Sequence, residues 1–437
     1  MATVGPGLCG LRAVAAVWSV LGGIGASGEN VSPLPAVTTH GTVLIEAESS
    51  QPVVLRGVNL GNWLVIERWM MDVPREQFED QSGLEALLAE RFGEAEMRRL
   101  LQLFRGHWIT RDDLRLLKTF GFNTVRVPFL CDLLMEDADA LDGPGQEGRA
   151  LELRDDAWFW LDRVVAWAEA EGMYVILDLH GTPGRQSREH HTGRRGVNRL
   201  WDSPEAQRRT VWLWRQVAER YAGRTNVVAY DLINEPYADF RRDVRLELDA
   251  LIDRIVRAVR EVDPDTVVFA PTVLGHDFWF YGPPAERGWT HVGFTFHPYP
   301  GRYGSPRTQE TFDKFFDEEL PWFAERQREL DAPILIGEFG AKFDTLGGAE
   351  LLRRQYDAFA GYGWAATAWG FKVLAPDPEA DPPSTFGLIW NAEPFALPDL
   401  RTASPGEIEA FFKSFASMRW AIDETARGAL SRGYAKR

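Results

Sequence analysis

The 437-residue chain is poor in cysteine and in lysine, and past its first few dozen residues it has no apolar run long enough to span a bilayer. Two cysteines, Cys9 and Cys131, cannot build a disulfide framework. Only six of its 48 basic residues are lysines, and 64 acidic residues bring the net charge to −16. Binding to nucleic acid or to an anionic membrane draws on basic clusters, so this balance argues against both. It fits an uncharged or cationic ligand. The chain also lacks an HExxH pair, an EF-hand loop and a P-loop, and no Gly-rich dinucleotide turn follows its first buried strand.

What is present begins with a short apolar segment. Residues 13–25 (AVAAVWSVLGGIG) follow Arg12 and precede the small residues Ala26, Ser27 and Gly28. The pattern reads as a signal peptide over residues 1–28, and hence as a secreted protein whose mature form has no membrane span. Cys131 is then a lone thiol, expected to be buried.

From there on strand-like and helix-like stretches alternate. TVLIE (42–46) and PVVLRGV (52–58) suggest a hairpin closing the floor of the fold and leading into a first buried strand at LRGVN. Seven more Val- and Ile-rich runs follow: 123–129, 174–180, 227–233, 266–271, 292–297, 334–339 and 365–371. They lack polar alternation, as strands covered on both faces do. Helical spacing appears between them: Trp158, Leu161, Val164, Val165 and Ala168 share one face, and so do Val211, Trp214, Val217 and Tyr221. Further helices are expected at 111–119 (with Thr110 as N-cap), 243–262, 311–330, 347–361 and 405–421. Eight such repeats predict an α/β fold, a (β/α)8 barrel, in preference to a doubly wound open sheet. One domain over 29–421 accounts for them, with 422–437 as a solvated C-terminal tail. Long connections at 61–110, 181–203, 272–291, 298–310 and 372–404 follow strands, which places them on the face where barrels carry their chemistry.

Polar residues stand at the ends of these strands: Arg126, His180, Asn234 with Glu235, His297 with Tyr299, Glu338 and Trp369. Singly, each reads as a rim residue, a buried ion pair or a hydrogen-bonded core residue. Together at one end of a barrel they describe a site. Two carboxylates facing one cavity are the minimum set for cleaving a glycosidic bond, one protonated and one ionised. Proximity separates their proton affinities. Arg126 is placed to hold one of them ionised, His297 and Tyr299 to orient it, and Trp369 offers a flat apolar face to a sugar ring. Glu189, His190 and His191 are adjacent in one loop and cannot complete a metal site, so no metal and no cofactor is expected. Trp279 and Tyr281 either add aromatic walls or pack within their own loop.

In this order RGVNLGNWLVIERW, NTVRVPF, LDLHGTPG, LINEPY, FHPYP, IGEFGA and AWGFK resemble glycoside hydrolase family 5 across residues 52 to about 390. The resemblance implies Glu235 as acid/base, Glu338 as nucleophile and Asn234 as the amide near the sugar 2-hydroxyl. It implies Arg126, His297 and Tyr299 as partners of the nucleophile, His180 as a sugar-site histidine and Trp369 as the aromatic floor. RGVNLGNWLVIERW is similar to the exo-β-1,3-glucanase branch, which implies that Glu67 grips the terminal sugar. Asn62 departs there from a usual Gly, and the loop 181–196 departs further with its REHH and RR.

The expected protein is thus a monomeric retaining β-glycosidase, acting on a β-glucan or β-glucoside through a covalent glycosyl-enzyme. The same residues leave open an endo-β-1,4-glucanase, a β-mannanase or a transglycosylase. A carbohydrate-binding pseudoenzyme would require the loss of a carboxylate, and both are present.

Overall fold

The computed structural model describes residues 32–141, 150–238, 242–273, 278–302, 306–340, 347–380 and 386–432. The expected signal segment lies outside the described residues.

Eight parallel strands close into a barrel: β3 (Arg56–Asn59), β4 (Thr124–Leu130), β5 (Tyr174–Gly181), β6 (Val227–Asp231), β7 (Val267–Pro271), β8 (Val292–Phe296), β9 (Ile334–Ile336) and β10 (Ala365–Ala368), with β10 pairing back onto β3. Every residue of these strands is buried, because helices cover the outside and side chains fill the inside. All eight strands coincide with the apolar runs, which is the expected (β/α)8 architecture.

The floor is closed by a hairpin, β1 (Val37–His40) and β2 (Val43–Glu46). Val37 and Leu44 pack with Leu55, Tyr174, Ile176, Val228, Val267, Leu335 and Ala365 at the N-terminal ends of the barrel strands. The expected partner of 42–46 was the segment 52–58, and the structure corrects this. The tight turn at Gly41 (φ +56°) lets residues 37–40 pair first, and 52–53 adds only a bridge from Pro52 to Ile45 and a hydrogen bond from Val53 to Leu44.

Helices predicted between the strands are present as α3 (Arg111–Thr119), α4 (Phe159–Ala170), α5 (Pro204–Tyr221), α6 (Arg245–Arg260) and α9 (Gly348–Gly361). The stretch 311–330 is α7 (Gln309–Lys314) and α8 (Leu320–Leu330), joined through a π-helical turn at Phe315–Glu319. The connection 61–110 holds two helices that the expectation of a loop overlooked, α1 (Gln81–Phe92) and α2 (Glu94–Trp108). Met97, Leu100, Leu101, Phe104 and Trp108 are buried at helical spacing, so the signal for α2 was in the chain. Among the described residues no helix is long and apolar enough to cross a membrane. Cys131 is buried, as expected of a lone thiol.

The C-terminal boundary also moves. The helix predicted to reach 421 ends earlier, as α10 (Pro405–Ser417). A strand, β13 (Trp420–Ile422), then joins β11 (Lys372–Val373) and β12 (Ile389–Asn391) in a small sheet. Helix α11 (Glu424–Ser431) follows, with Ala426, Ala429 and Leu430 buried. The Arg353 guanidinium of α9 donates to the carbonyls of Ala429 and Arg432. Residues 422–432 are therefore part of the domain and not a tail. Leu430→Ala is expected to destabilise the fold by about 2–5 kcal/mol, the cost of emptying a buried leucine site. An unchanged melting temperature would return this segment to the status of a solvated end.

Candidate active site

The strand ends converge on a single guanidinium. Arg126 leaves β4 fully buried, and its Nε donates to Asp231 Oδ2 at 2.9 Å. Nη1 donates to Asn59 Oδ1 at 2.9 Å and to Glu338 Oε1 at 3.2 Å. Nη2 donates to Asn234 Oδ1 at 2.9 Å and contacts Asp178 Oδ1 at 3.0 Å. Barrel register sets these meetings: Asn59 lies beside Arg126, and Asp178 beside Asp231. Burial raises the carboxyls of Asp178 and Asp231, and with Arg126 pulling the other way both come to rest at about 6. The guanidinium itself is held above its ordinary value by these anions. Asn59 ties the hub to the closing seam, its amide donating to the carbonyls of Gly337, Thr367 and Ala368.

Above this layer stand the two carboxylates. Glu338 follows β9, and its Oε2 accepts from Tyr299 Oη at 2.9 Å. Glu235 follows β6 at a positive φ of +41°, a conformation uncommon for a residue other than glycine. Gln186 pins the backbone on both sides of it: its side-chain amide donates to Asn234 O at 2.7 Å, and its carbonyl accepts from Tyr237 N at 3.0 Å. One oxygen from each carboxylate and one nitrogen of His297 lie within 4.8 Å of one another. That trio is also close enough to hold a cation.

His297 Nδ1 lies 2.8 Å from Glu235 Oε1 and 3.8 Å from Glu338 Oε1. The ring bonds the first carboxylate and only leans on the second, which corrects the expectation that it serves Glu338. A Cβ on residue 337 would stand 2.6 Å from His297 Nε2, so glycine there admits the ring. Burial pushes Glu235 up, but the His297 hydrogen bond and the imidazole of His191 hold it well below the usual carboxylate range. For His297 burial works downward, and the two carboxylates outweigh it and raise the ring. In the ligand-free site the shared proton therefore rests on His297.

His180 Nδ1 donates to Asp178 Oδ2 at 2.6 Å, leaving Nε2 to accept from the Asn234 amide at 3.3 Å. Burial takes this imidazole down to about 4, so it is neutral. Its ring stacks on Trp369 at 5.6 Å. Glu67 Oε2 accepts from Trp69 Nε1 at 2.5 Å and pairs with His190 Nε2 at 3.1 Å. Burial opposes ionisation of Glu67, and His190 more than restores it. Asn62 adopts the left-handed conformation (φ +55°) that a glycine would favour, and its side chain accepts from Glu67 N at 2.9 Å. The departure from Gly thus keeps the turn and anchors Glu67.

All nine residues singled out in the sequence therefore gather at one end of the barrel. Eight of them are Glu67, His180, Asn234, Glu235, Tyr299, Glu338 and Trp369, which line a cavity of about 320 Å³, and Arg126, which lies beneath it. The ninth, His297, sits between the two carboxylates. The cavity also takes Trp69, His190, His191, Arg302 and Phe386, which come from loops and carry no strand-end signal. Asp178 was legible, two residues before His180 on the same face of β5. Tyr281 is buried with its hydroxyl on Pro271 O, and Trp279 packs on Phe278 and Trp322, so both belong to their loop and not to the cavity wall.

Similarity to known proteins places this chain. Residues 94–372 match the family described as Cellulase (glycosyl hydrolase family 5). A probable glucan 1,3-beta-glucosidase A of Emericella nidulans is 30% identical over 352 residues, covering 78% of this chain and 79% of that protein. A beta-xylosidase of Phanerodontia chrysosporium is 27% identical, covering 72% of this chain and 62% of its own length. The Aspergillus clavatus glucan 1,3-beta-glucosidase A is 33% identical, with half of each chain covered. The fold is similar to that of Thermotoga maritima Cel5A solved with cellobiose, at a TM-score of 0.51, 16% identity and coverage of 86% and 97% of the two chains. It is also similar to the cellulose synthase subunit Z of Clostridioides difficile, at a TM-score of 0.52, 16% identity and coverage of 86% and 99%. The chain belongs to glycosyl hydrolase family 5.

Proposed function

We propose that the protein is a retaining β-glycosidase that releases a terminal sugar from a β-glucan or a small β-glucoside. The observation that carries this reading is the carboxylate pair, with an oxygen of Glu235 within 4.8 Å of one of Glu338 and each held by different partners. Retaining enzymes hold their carboxyls about 5–5.5 Å apart, whereas inverting ones leave about 6.5–9.5 Å for a water.

Glu338 attacks the anomeric carbon, with Arg126 and Tyr299 each donating to one of its oxygens and aiming it. Glu235 and His297 act as one acid. While Glu338 is charged it favours a proton on His297. As Glu338 bonds to carbon that charge disappears, and the proton becomes available through Glu235 to the departing oxygen. Glu235 then takes a proton from water, which releases the sugar with its configuration kept. Asn234 is placed for the 2-hydroxyl, and Trp369 for the ring face.

Support for a terminal sugar comes from the wall made by Glu67, Trp69 and His190, and from a cavity near the lower end of ligand-pocket volumes. The glucosidase relatives favour a β-1,3-glucan, and the xylosidase relative makes a β-xyloside the second candidate for the sugar. A monomer, exported through residues 1–28, completes the proposal.

Glu235→Gln and Glu338→Gln are each expected to lower turnover of unactivated β-glucosides by at least about a thousandfold while the melting temperature holds. Near wild-type turnover in either purified variant would sink the assignment. Laminarin, cello- and manno-oligomers, xylan and aryl β-glycosides, followed by NMR, are expected to show glucose from laminarin with the β-anomer formed first. Mixed oligomers from a β-1,4 polymer would instead indicate an endo-acting cleft.

The pH profile is a further check. Activity needs one proton on the Glu235–His297 pair, and the imidazole's affinity is raised above 6.5. The alkaline limb of kcat/KM is therefore expected above pH 6.5. In His297→Gln the only acid left is a carboxyl, so that limb is expected to fall by a pH unit or more. An unmoved limb would detach His297 from the proton.

A further inference from the structure

The loop after β5 brings one more imidazole to Glu235, and the glycosidase reading above leaves it without a task. The two oxygens of Glu235 face different ways. Oε1 is taken by His297, which leans towards Glu338 and so marks the nucleophile's side of the cavity. Oε2 is the oxygen left to meet the glycosidic oxygen. The group at Oε2 is His191, whose Nδ1 is 3.5 Å away.

His191 is placed by its own loop. Its Nε2 lies 3.4 Å from the hydroxyl of buried Ser187, and its ring meets His180 edge-on at 5.7 Å. With the Ser187 hydroxyl donating to Nε2, the neutral ring carries its proton on Nδ1 and presents it to Glu235. The charged and titratable groups around it agree with that form. Glu235 (after β6) and Glu67 (after β3) favour a cationic ring, while His180 on β5, His190 on the same loop and burial oppose it; the ring's proton affinity falls below the ordinary histidine value.

Resting on the glycosidase reading, we propose that His191 is a positioning residue for the acid/base Glu235, donating from Nδ1 to Oε2 on the leaving-group side. Glu235 is an anion at rest and an anion again once the proton from His297 has crossed it to the departing oxygen, so the donor acts by holding Oε2 on the leaving-group side while that proton passes. No proton leaves His191, and the balance of the reaction is unchanged. In the second step the same bond must weaken as Glu235 takes a proton from water. The effect therefore belongs to bond cleavage and not to release of the covalent intermediate.

The test compares a β-glucoside with a poor leaving group against 2,4-dinitrophenyl β-glucoside, whose departure needs no acid. His191→Ala is expected to lower kcat/KM on the first by about 10-fold or more, and far less on the second. His191→Asn puts an amide where Nδ1 stands and is expected to recover most of the loss. His191→Gln, whose amide reaches towards Ser187, is expected not to. Equal losses on both substrates, or Asn and Gln behaving alike, would overturn the proposal, as would a wild-type His191→Ala. Should the alanine variant not fold, the Asn–Gln contrast still decides. Glu338→Gln, run alongside, separates the two readings: activity retained there refutes the glycosidase assignment itself, whereas its loss with a wild-type His191→Ala refutes only the role of His191.

Discussion

The chemistry at the mouth of this barrel depends on one buried cation. Arg126 faces Asp178, Asp231 and Glu338 at distances of 2.9–3.2 Å, with no water-facing surface of its own. Three carboxylates around one guanidinium would be costly to bury if their lone pairs went unmet. The cost is offset by charge-assisted hydrogen bonds in a fixed planar fork, and by Asn59, Asn234 and His180, which add further hydrogen bonds, while Asp231 Oδ1 stays buried without one. A lysine could not satisfy the same set of directions. What the arrangement yields is a carboxylate, Glu338, held between the Arg126 guanidinium and the Tyr299 hydroxyl at the wall of the cavity.

That fixed charge controls the second carboxylate. A general acid is commonly prepared by burying it, so that its proton is held at neutral pH. Glu235 is prepared differently. It is an anion at rest, and the proton stands on His297 beside it because Glu338 is charged. The two groups titrate as a pair. On the proposed mechanism, acid strength at Glu235 is thereby tied to what happens at Glu338, and bond formation on one side of the sugar would release the proton needed on the other.

The barrel and its strand-end residues were legible in the chain because both follow from short-range periodicity. A run such as YVILDLH must be buried on both faces, and its polar inward residues, Asp178 and His180, can only stack above one another. The hairpin partner is not legible in the chain because the choice between 37–40 and 52–58 turns on one glycine with positive φ, not on hydrophobic pattern. The C-terminal segment looks like a tail in the sequence because Ala426, Ala429 and Leu430 make a narrow apolar stripe beside basic residues, which is intelligible only once α9 is there to receive it. That His297 bonds Glu235 and only neighbours Glu338 is hidden from the sequence for a comparable reason. Strand order places its ring between Glu235 and Glu338, but the rotamer that bonds Glu235 is set by the space over Gly337.

The cavity walls were the least legible part, and the reason is instructive. Trp69, His190, His191, Arg302 and Phe386 lie on loops whose positions come from contacts distant in sequence. Gln186 illustrates the point. Its side chain joins the carbonyls of His180 and Asn234, at the ends of β5 and β6, and its own carbonyl receives Tyr237. One amide therefore fixes both the start of the histidine-bearing loop and the backbone that aims Glu235. Nothing local in GTPGRQSREHH announces this. Strands thus determine which bond-breaking chemistry the protein can perform. The loops, fastened to those strands through single buried side chains, determine what sits against Oε2 of Glu235 and Oε2 of Glu67. On the glycosidase reading, substrate choice in this chain would then fall to the 181–196 loop at least as much as to the strand-end residues on which its family is recognised.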